Sequence, residues 1–289
     1  EMANLFYARF WGRQDVYAKR SEKTSTGEAG YYTQCHNRWE NICPKMRHEK
    51  MNCKDCPHQA YKQLTIKDIR AHLQGRSYNG SDVIGVYPLL KNGTCRFLVF
   101  DFDNHEKGAE KKDFANMNEA WMEEVEAMRT ICSLNGIDPL VERSRSGRGA
   151  HLWIFFDKPI PAALARRFGF ALLEKGAEQV NLKSFKYYDR MLPAQDTLPE
   201  GGLGNLIALP LQGQALQKGN SAFIDSNWNA YPNQWDVLWS KPRLSIEFIE
   251  AKIKEWAASD ITEAADDTGN AEEREQPWKK EKPFRREDV

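Results

Sequence analysis

Two carboxylates one residue apart are the feature of this 289-residue chain whose spacing most directly suggests chemistry. Asp101 and Asp103 end the apolar run of residues 96–103, a pattern that predicts a β-strand. Alternate side chains of a strand face opposite sides and two residues advance about 6.6 Å, so both carboxylates can reach one site while Phe100 and Phe102 face the other way. Such a pair is costly unless a cation neutralises it, and two divalent ions about 3.5–4 Å apart are the usual apparatus of nucleotidyl transfer. The alternative is that Asp-Phe-Asp merely ends a strand in a turn.

A loop rich in arginine, serine and glycine follows and leads directly into a second apolar strand, predicted over residues 151–156. Gly147 and Gly149 let the backbone pass close to an anion, and Ser146 adds a hydroxyl donor. Three side chains can supply charge-assisted donors: Arg143, Arg145 and Arg148. The loop therefore suits a triphosphate, with His151 contacting a phosphate from the strand. It is not a P-loop, because the lysine-containing pattern is absent. The alternative is a solvated basic turn beside a core histidine.

A third carboxylate could complete a metal site with the paired acids. Asp189 follows two aromatic residues in a strand-like context, and Asp196 stands a few residues further on. Both remain open from the sequence, although Asp189 has the more strand-like surroundings. Lys218 and Asn220 belong to a second polar cluster that suits phosphate or sugar contacts.

Four of the six cysteines form a C-x7-C-x9-C-x2-C pattern: Cys35, Cys43, Cys53 and Cys56. The closing C-x2-C pair lets two thiolates bind one tetrahedral zinc ion, and the earlier pair can supply the remaining ligands. Three histidines lie close enough in sequence to replace one cysteine: His36, His48 and His58. A disulfide reading is disfavoured because nothing suggests export. Since four sulfur ligands leave no open coordination position, the zinc is predicted to be structural.

The composition limits the partners of the chain. At 289 residues the chain can hold one large domain or two small ones. Hydrophobic residues make up 41% and aromatic residues 11%, which is ample for a packed core. The formal net charge is zero, so any surface that binds phosphate must be local. No apolar run approaches the roughly 20 residues of a membrane span, and the N-terminus lacks the order of a signal peptide. We therefore expect a soluble, cytoplasmic protein without a membrane partner.

The elements that must hold these residues follow from periodicity and turn signals. Helices are predicted over residues 64–73, 113–134, 162–176 and 246–256. Strands are predicted over residues 83–90, 96–103, 140–141, 151–156 and 206–211. The first thirty residues are basic and aromatic, and residues 259–289 are highly charged with few apolar positions. We expect that last segment to be a disordered tail or linker after a domain of residues 1–258.

Together these motifs resemble the archaeo-eukaryotic primase superfamily, and most closely the primase-polymerase domain of TOTE conflict systems, which pair it with helicase and nuclease modules. The resemblance covers most of residues 5–240. It rests on residues 11–17, 35–39 with the later cysteines, 85–88, 101–103, 146–151 and 188–212. One departure is that many members carry serine two residues before the histidine, where this chain has Gly149 and its nearest serine is Ser146.

The resemblance implies an α+β fold with an RRM-like catalytic module at about residues 83–240. An N-terminal α/β part and a small zinc-binding module at about residues 31–60 would accompany it. By motif, the paired acids are Asp101 and Asp103, the third acid is Asp189, and the nucleotide-binding histidine is His151. Two Mg²⁺ or Mn²⁺ ions would lie on the three acids. The remaining candidates for nucleotide binding are Ser146, Arg148, Arg190, Lys218 and Asn220.

The implied function is template-dependent nucleotidyl transfer, as by a DNA primase-polymerase. Its partners would be a single-stranded DNA template with its primer, NTP or dNTP, and a helicase or nuclease module of the same system. We expect the basic, aromatic N-terminus and the zinc module to grip the template by phosphate contacts and base stacking. Two alternatives stay open: a two-metal nuclease, and a non-catalytic zinc-containing module that binds nucleic acid.

Overall fold

The computed structural model describes residues 1–22, 29–77, 80–104, 120–179 and 185–266. Its strands are β1 (Ala18–Glu22), β2 (Ala29–Thr33), β3 (Ile84–Val86), β4 (Thr94–Asp103), β5 (Leu140–Arg143), β6 (Gly149–Pro161), β7 (Tyr188–Leu192), β8 (Ile207–Ala208), β9 (Ala222–Phe223) and β10 (Arg243–Leu244). Its α-helices are α1 (Met2–Phe10), α2 (Ile66–Gln74), α3 (Ala120–Leu134), α4 (Ala162–Gln179), α5 (Gly213–Leu216), α6 (Gln234–Ser240) and α7 (Ile246–Asp266). Short 3₁₀ turns lie at Pro44–Arg47 and Cys53–Asp55.

The strands form two sheets, and the fold is α+β as predicted. The larger, six-stranded sheet has the order β7-β4-β6-β5-β9, with β10 paired to β6. All of its pairings are antiparallel except that of β10 with β6. The smaller sheet has the order β2-β1-β3-β8 and is antiparallel throughout.

The long strand β4 is apolar on both faces because both faces are covered. Phe100 and Phe102 pack against α3, α4 and α7 in one cluster, which we call the helix-side core. Phe97 and Val99 pack into a second cluster with α1, α2 and the smaller sheet, which we call the inter-sheet core. Asp101 and Asp103 continue the inter-sheet side of the strand, so the alternation predicted from the sequence is confirmed.

The C-terminal helix α7 closes the helix-side core. Its apolar residues recur at helical spacing, and Ile249, Ile253 and Trp256 are buried there. The indole Nε1 of Trp256 donates a hydrogen bond to Asn135 Oδ1 at 3.1 Å, at the C-terminal end of α3. The helix runs to Asp266, past residue 258 where we expected the domain to end. The rest of the predicted tail, residues 267–289, lies outside the described residues.

The other predicted elements correspond in kind but not always in extent. Helices 64–73 and 162–176 correspond to α2 and α4, and only residues 120–134 of the helix predicted over 113–134 belong to the described part. The strands predicted over 83–90 and 206–211 are shorter, as β3 and β8. No helix among the described residues combines the length and apolarity needed to cross a bilayer.

The basic, aromatic N-terminal segment is largely core, contrary to our expectation that it grips the template. Phe6 and Phe10 of α1 are fully buried in the inter-sheet core. The buried Arg9 donates to the carbonyl of Leu238 at 2.8 Å, and its guanidinium lies 4.6 Å from the ring centroid of Phe155. These side chains are therefore committed to packing and are not available to a nucleic acid.

Candidate active site

The paired acids line an open cleft of about 680 Å³ beside the C-terminal end of β4. Its walls come from both sheets, from the loop between β5 and β6, and from residues 203–208. Five of the residues singled out from the sequence line this cleft: Asp101, Asp103, Ser146, His151 and Arg190. Four others are not among the residues that line it: Arg148, Asp189, Lys218 and Asn220.

A single row across four strands places the charges of the site opposite one another. Arg190 of β7 pairs with Asp101 of β4, which pairs with His151 of β6, which pairs with Glu142 of β5. Directly opposed residues of antiparallel strands share a face with their Cβ atoms about 4.5–5.5 Å apart. Basic and acidic side chains therefore alternate along the row, and each acid has a basic neighbour.

A β-bulge in β7 brings the third acid to the site. The register of β7 against β4 shifts between Asp101 and Phe102. Tyr188 and Met191 both lie in the helix-side core although they are three residues apart, which regular alternation forbids. The extra residue keeps Asp189 out of that core, and its carboxylate Oδ2 lies 2.5 Å from Arg190 Nε.

The structure separates the two candidates for the third acid. Asp189 is close enough to Asp101 that its negative charge raises the pKa of that carboxyl. Asp196 instead pairs with Arg166 and lies beside Gly93, which precedes the first residue of β4. It therefore stands at the opposite end of the strand from the paired acids.

The surroundings of Asp101 disfavour its ionised form. Burial raises the pKa of Asp101, and the nearby charges of Asp189 and Asp103 raise it further, against the lowering effects of His151 and Arg190. A bound cation would favour the ionised carboxylate, and carboxylate oxygens are the ligands that hard divalent ions prefer. The donor chemistry thus fits such ions. Among the described residues, however, no three acidic, histidine or cysteine side chains converge in the geometry of metal ligands.

The imidazole of His151 is held from behind by a buried carboxylate. Nδ1 of His151 lies 2.8 Å from Oε2 of Glu142, which is only 1% exposed. Trp153 Nε1 donates to the same oxygen at 3.1 Å, and Ser221 Oγ donates to the other oxygen at 3.4 Å. These contacts fix the ring so that Nε2 faces the cleft, 3.5 Å from Asp101 Oδ1.

The same contacts keep the ring charged. Burial alone would lower the pKa of His151, but Glu142 and then Asp101 and Asp103 outweigh it and raise the pKa to about 9. The ring is therefore an imidazolium at neutral pH, with a donor aimed into the cleft. Glu142 was not selected from the sequence. Its position within β5, directly before the arginine-rich loop, was a usable signal.

Two glycines shape the loop for reasons that the structure makes explicit. A Cβ on Gly149 would stand 2.2 Å from the carbonyl oxygen of Phe102, so close pairing with β4 leaves no room for a side chain there. Gly147 has a φ of 77°, and a Cβ on it would meet the side chain of Asn220 at 2.8 Å. The serine found at the equivalent of Gly149 in many superfamily members would not fit this backbone. Ser146 instead presents a hydroxyl at the turn.

The three loop arginines have different surroundings. Arg145 lines the cleft and Arg148 does not. Arg143 donates to the carbonyl of Gly219 at 2.9 Å and to that of Trp228, so it ties the hairpin to the segment that carries Lys218. Arg143 thus has a packing role. The clearest cleft-lining cation of the loop, Arg145, was one of the three predicted donors but was not among the residues selected.

The four cysteines predicted to bind zinc line one small cavity of about 110 Å³, together with Trp39 and His58. All four are free thiols. Like the acids, they do not converge in the geometry of metal ligands within the described part of the chain. The chain segment between them consists mainly of turns and the two short 3₁₀ elements.

The balance of charges around His151 can be tested by replacing Glu142 with Gln. In metal-free protein we expect the pKa of His151 to fall from about 9, because burial is then less opposed. Histidine ring signals measured by NMR across pH would show the change. Buried His72, whose pKa burial lowers to about 4, provides an internal control that should not move.

The sign of the effect on stability follows from the raised pKa. The imidazolium stabilises the folded state fully below the unfolded pKa near 6.5, and this contribution is lost as the pH rises through about 9. The Glu142→Gln variant should therefore lose less stability than the parent protein between these values. An unchanged His151 titration in the variant would contradict the assignment of Glu142 as its counter-charge.

Comparison with curated proteins gave no match. Among solved structures, the polymerase domain of ligase D from Mycobacterium tuberculosis in complex with DNA aligns with a TM-score of 0.42 and 14% identity. That alignment covers 88% of this chain and 85% of the other. The family model of the archaeo-eukaryotic primase domain of TOTE conflict systems matches residues 1–252. The chain therefore belongs to that family, whose members are primase-polymerase domains of the nucleotidyltransferase type.

Proposed function

We propose that the chain is a DNA primase-polymerase, which synthesises or extends strands on a single-stranded DNA template from NTP or dNTP. The observation that carries this proposal is that Asp101, Asp103 and His151 line a single cleft, with Asp189 near enough for its charge to raise the pKa of Asp101. A cleft of about 680 Å³ is in the size range of small-molecule sites and can admit a nucleoside triphosphate.

In this mechanism the three acids hold two Mg²⁺ or Mn²⁺ ions. When bound, the ions supply charge stabilisation to an attacking 3′-hydroxyl and to the leaving pyrophosphate. The protein binds the triphosphate with the Nε2–H of His151, the hydroxyl of Ser146 and cationic side chains of the loop. Glu142 keeps the imidazolium oriented, and Arg190 supplies further positive charge at the cleft. Lys218 and Asn220 stand further back and serve as secondary contacts.

We also propose that Cys35, Cys43, Cys53 and Cys56 hold one structural zinc ion. The support is that all four line one cavity, in a segment with little regular secondary structure of its own. A closed tetrahedral site would hold such a segment together without contributing to the reaction. Of the three histidines considered from the sequence, His58 lines the same cavity and is the candidate substitute ligand.

The proposed setting follows from the family. The domain would work in the cytoplasm beside a helicase or nuclease module of the same conflict system. Its catalytic part would span about residues 83–240 of a domain of residues 1–258, with the zinc module at about residues 31–60.

The acid assignment is tested by changing Asp101 and Asp103 together to Asn. We expect nucleotide incorporation to fall by about a thousandfold or more, because an Asn pair no longer neutralises the ions that stabilise the transition state. The assay supplies labelled nucleotides, a single-stranded template and Mg²⁺ or Mn²⁺, with and without a primer. Asp196→Asn is the matched control and should retain activity, since Asp196 lies at the other end of β4. Normal extension by a folded double variant would refute the assignment.

The roles of the loop and the histidine separate a polymerase from a nuclease. Replacing His151 by Ala should weaken nucleotide binding by about 1.5–3 kcal/mol, or roughly ten- to a hundredfold, and leave strand binding nearly unchanged. Arg145→Ala and Arg148→Ala then compare the arginine that lines the cleft with one that does not. Affinities would be measured with a non-hydrolysable nucleotide and a fluorescent single strand. Impaired strand binding with normal nucleotide binding would favour the nuclease or the binding module instead.

Zinc content gives an independent test. Protein purified without chelator should carry one zinc per chain by elemental analysis. Cys53→Ser should lose the metal and lower the melting temperature, because structural zinc binding is coupled to folding. His48→Ala is the control, since His48 does not line the cysteine cavity. A zinc-free parent protein that is fully folded would overturn this proposal.

A further inference from the structure

The cysteine segment presents an aromatic side chain to solvent in an unusual way. Trp39 is 69% exposed, which makes it the most exposed large hydrophobic side chain of the described residues. Three further exposed apolar side chains follow within the same segment: Ile42, Met46 and Met51. The aromatic residues of α1, by contrast, are core. The surface aromatic chemistry of the N-terminal region is thus concentrated in the cysteine segment.

The backbone of Trp39 is held in a conformation that bulky residues avoid. Its φ is 78°, in the left-handed region where glycine is favoured and an aromatic residue is an outlier. A position that served only the turn would be filled more stably by glycine. Retaining an indole there, with most of its surface in water, points to a use for the ring itself.

A cation orders the exposed ring. The guanidinium of Arg38 lies 4.9 Å from the ring centroid of Tyr32 and 4.9 Å from that of Trp39. Arg38 thus bridges two aromatic rings and limits the freedom of the indole, while much of the indole surface stays open. We call Tyr32, Arg38 and Trp39 the stacking triad.

The surroundings of the triad favour a polyanion. Residues 35–62 contain six lysines or arginines and three acids, in a chain whose formal net charge is zero. Two of the cations pair with neighbouring acids, Arg47 with Glu49 and Lys54 with Asp55. The cationic excess is therefore local to the segment that displays the exposed indole, as a phosphate-bearing partner requires.

The triad is also connected to the cleft by one strand. Tyr32 belongs to β2, the edge strand of the smaller sheet, and its neighbour Tyr31 lines the catalytic cleft. Adjacent residues of a strand face opposite sides, so the triad lies on the other side of the β2 edge from the cleft. A flexible chain that leaves the cleft can pass round this edge, which a stiff duplex cannot do.

We propose that the stacking triad binds an unpaired base of the single-stranded template just outside the cleft. Every base has a π-face, so stacking on an indole needs no particular sequence, and the nearby lysines and arginines serve the phosphates. The inference rests on the proposed template-directed function and names the surface that holds the template. It assigns to Trp39 and Arg38 the stacking that the buried α1 aromatics cannot perform.

The test compares three variants of the full chain, purified without chelator, in binding a fluorescent oligothymidylate strand of about 20 nucleotides. Trp39→Ala should weaken strand binding by about 5- to 100-fold, the range expected for loss of one stacked base. Trp39→Gly should bind as weakly but melt at the same temperature as the parent or higher, because glycine accepts the positive φ. Trp239→Ala, which removes a 36% exposed indole from α6, should bind normally.

Several outcomes would overturn the proposal. One is strand affinity within twofold of the parent for Trp39→Gly, and another is an equal loss for Trp239→Ala. If both Trp39 variants fail to fold, the residue is structural and the proposal is wrong. Binding is measured without nucleotide or catalytic metal, so its outcome does not depend on incorporation. Absence of incorporation by the parent protein would therefore refute the proposed function, whereas the Trp39 comparison judges the triad separately.

Discussion

The site depends on the burial of a carboxylate, that of Asp101 at the end of β4. Burial raises the pKa of Asp101, and the charges of Asp189 and Asp103 raise it further, while those of His151 and Arg190 lower it. In a medium less polar than water an ionised carboxylate is costly, and cations are the partners that reduce this cost. The catalytic proposal draws on this cost, because it gives divalent ions a reason to bind where a phosphate chain would approach.

Strand pairing is what allows the opposing charges to be so close. The row Arg190, Asp101, His151 and Glu142 exists because four adjacent strands hold one register. Glu142 acts on the site through His151, because its charge and its hydrogen bond are the leading causes that raise the pKa of that ring against burial. The bulge in β7 adds a carboxylate that a regular strand would have sent into the helix-side core.

The sequence predicted those parts of the fold and site that depend on local order. The alternation in β4 shows within a few residues which side chains share a face. Helices such as α4 and α7 are predicted from the helical periodicity of their apolar residues. The placement of Asp189, rather than Asp196, near Asp101 depends on the β7 register, which no local pattern contains. Likewise, the sequence does not distinguish Arg145 from Arg148 as a phosphate-binding side chain. The conformation of the turn between β5 and β6 places Arg145, and not Arg148, in the lining of the cleft.

The N-terminal segment was misjudged for a physical reason. Arginine and phenylalanine together are typical of surfaces that bind nucleic acid, but they are also compatible with burial when the guanidinium reaches backbone carbonyls and aromatic faces. Arg9 does this through Leu238, more than two hundred residues away in sequence, and no local reading of the segment could supply that partner.

A guanidinium also lies against an aromatic ring in the cysteine segment, but there the pair is at the surface and not in the core. Arg38 also lies against aromatic rings, yet its neighbour Trp39 is largely exposed, since no strand or helix of the described part of the chain buries it. Whether a cation and a ring form core or a binding surface is therefore decided by what the rest of the chain packs over them. The cysteine segment has little regular secondary structure, and most of the indole surface of Trp39 stays exposed there.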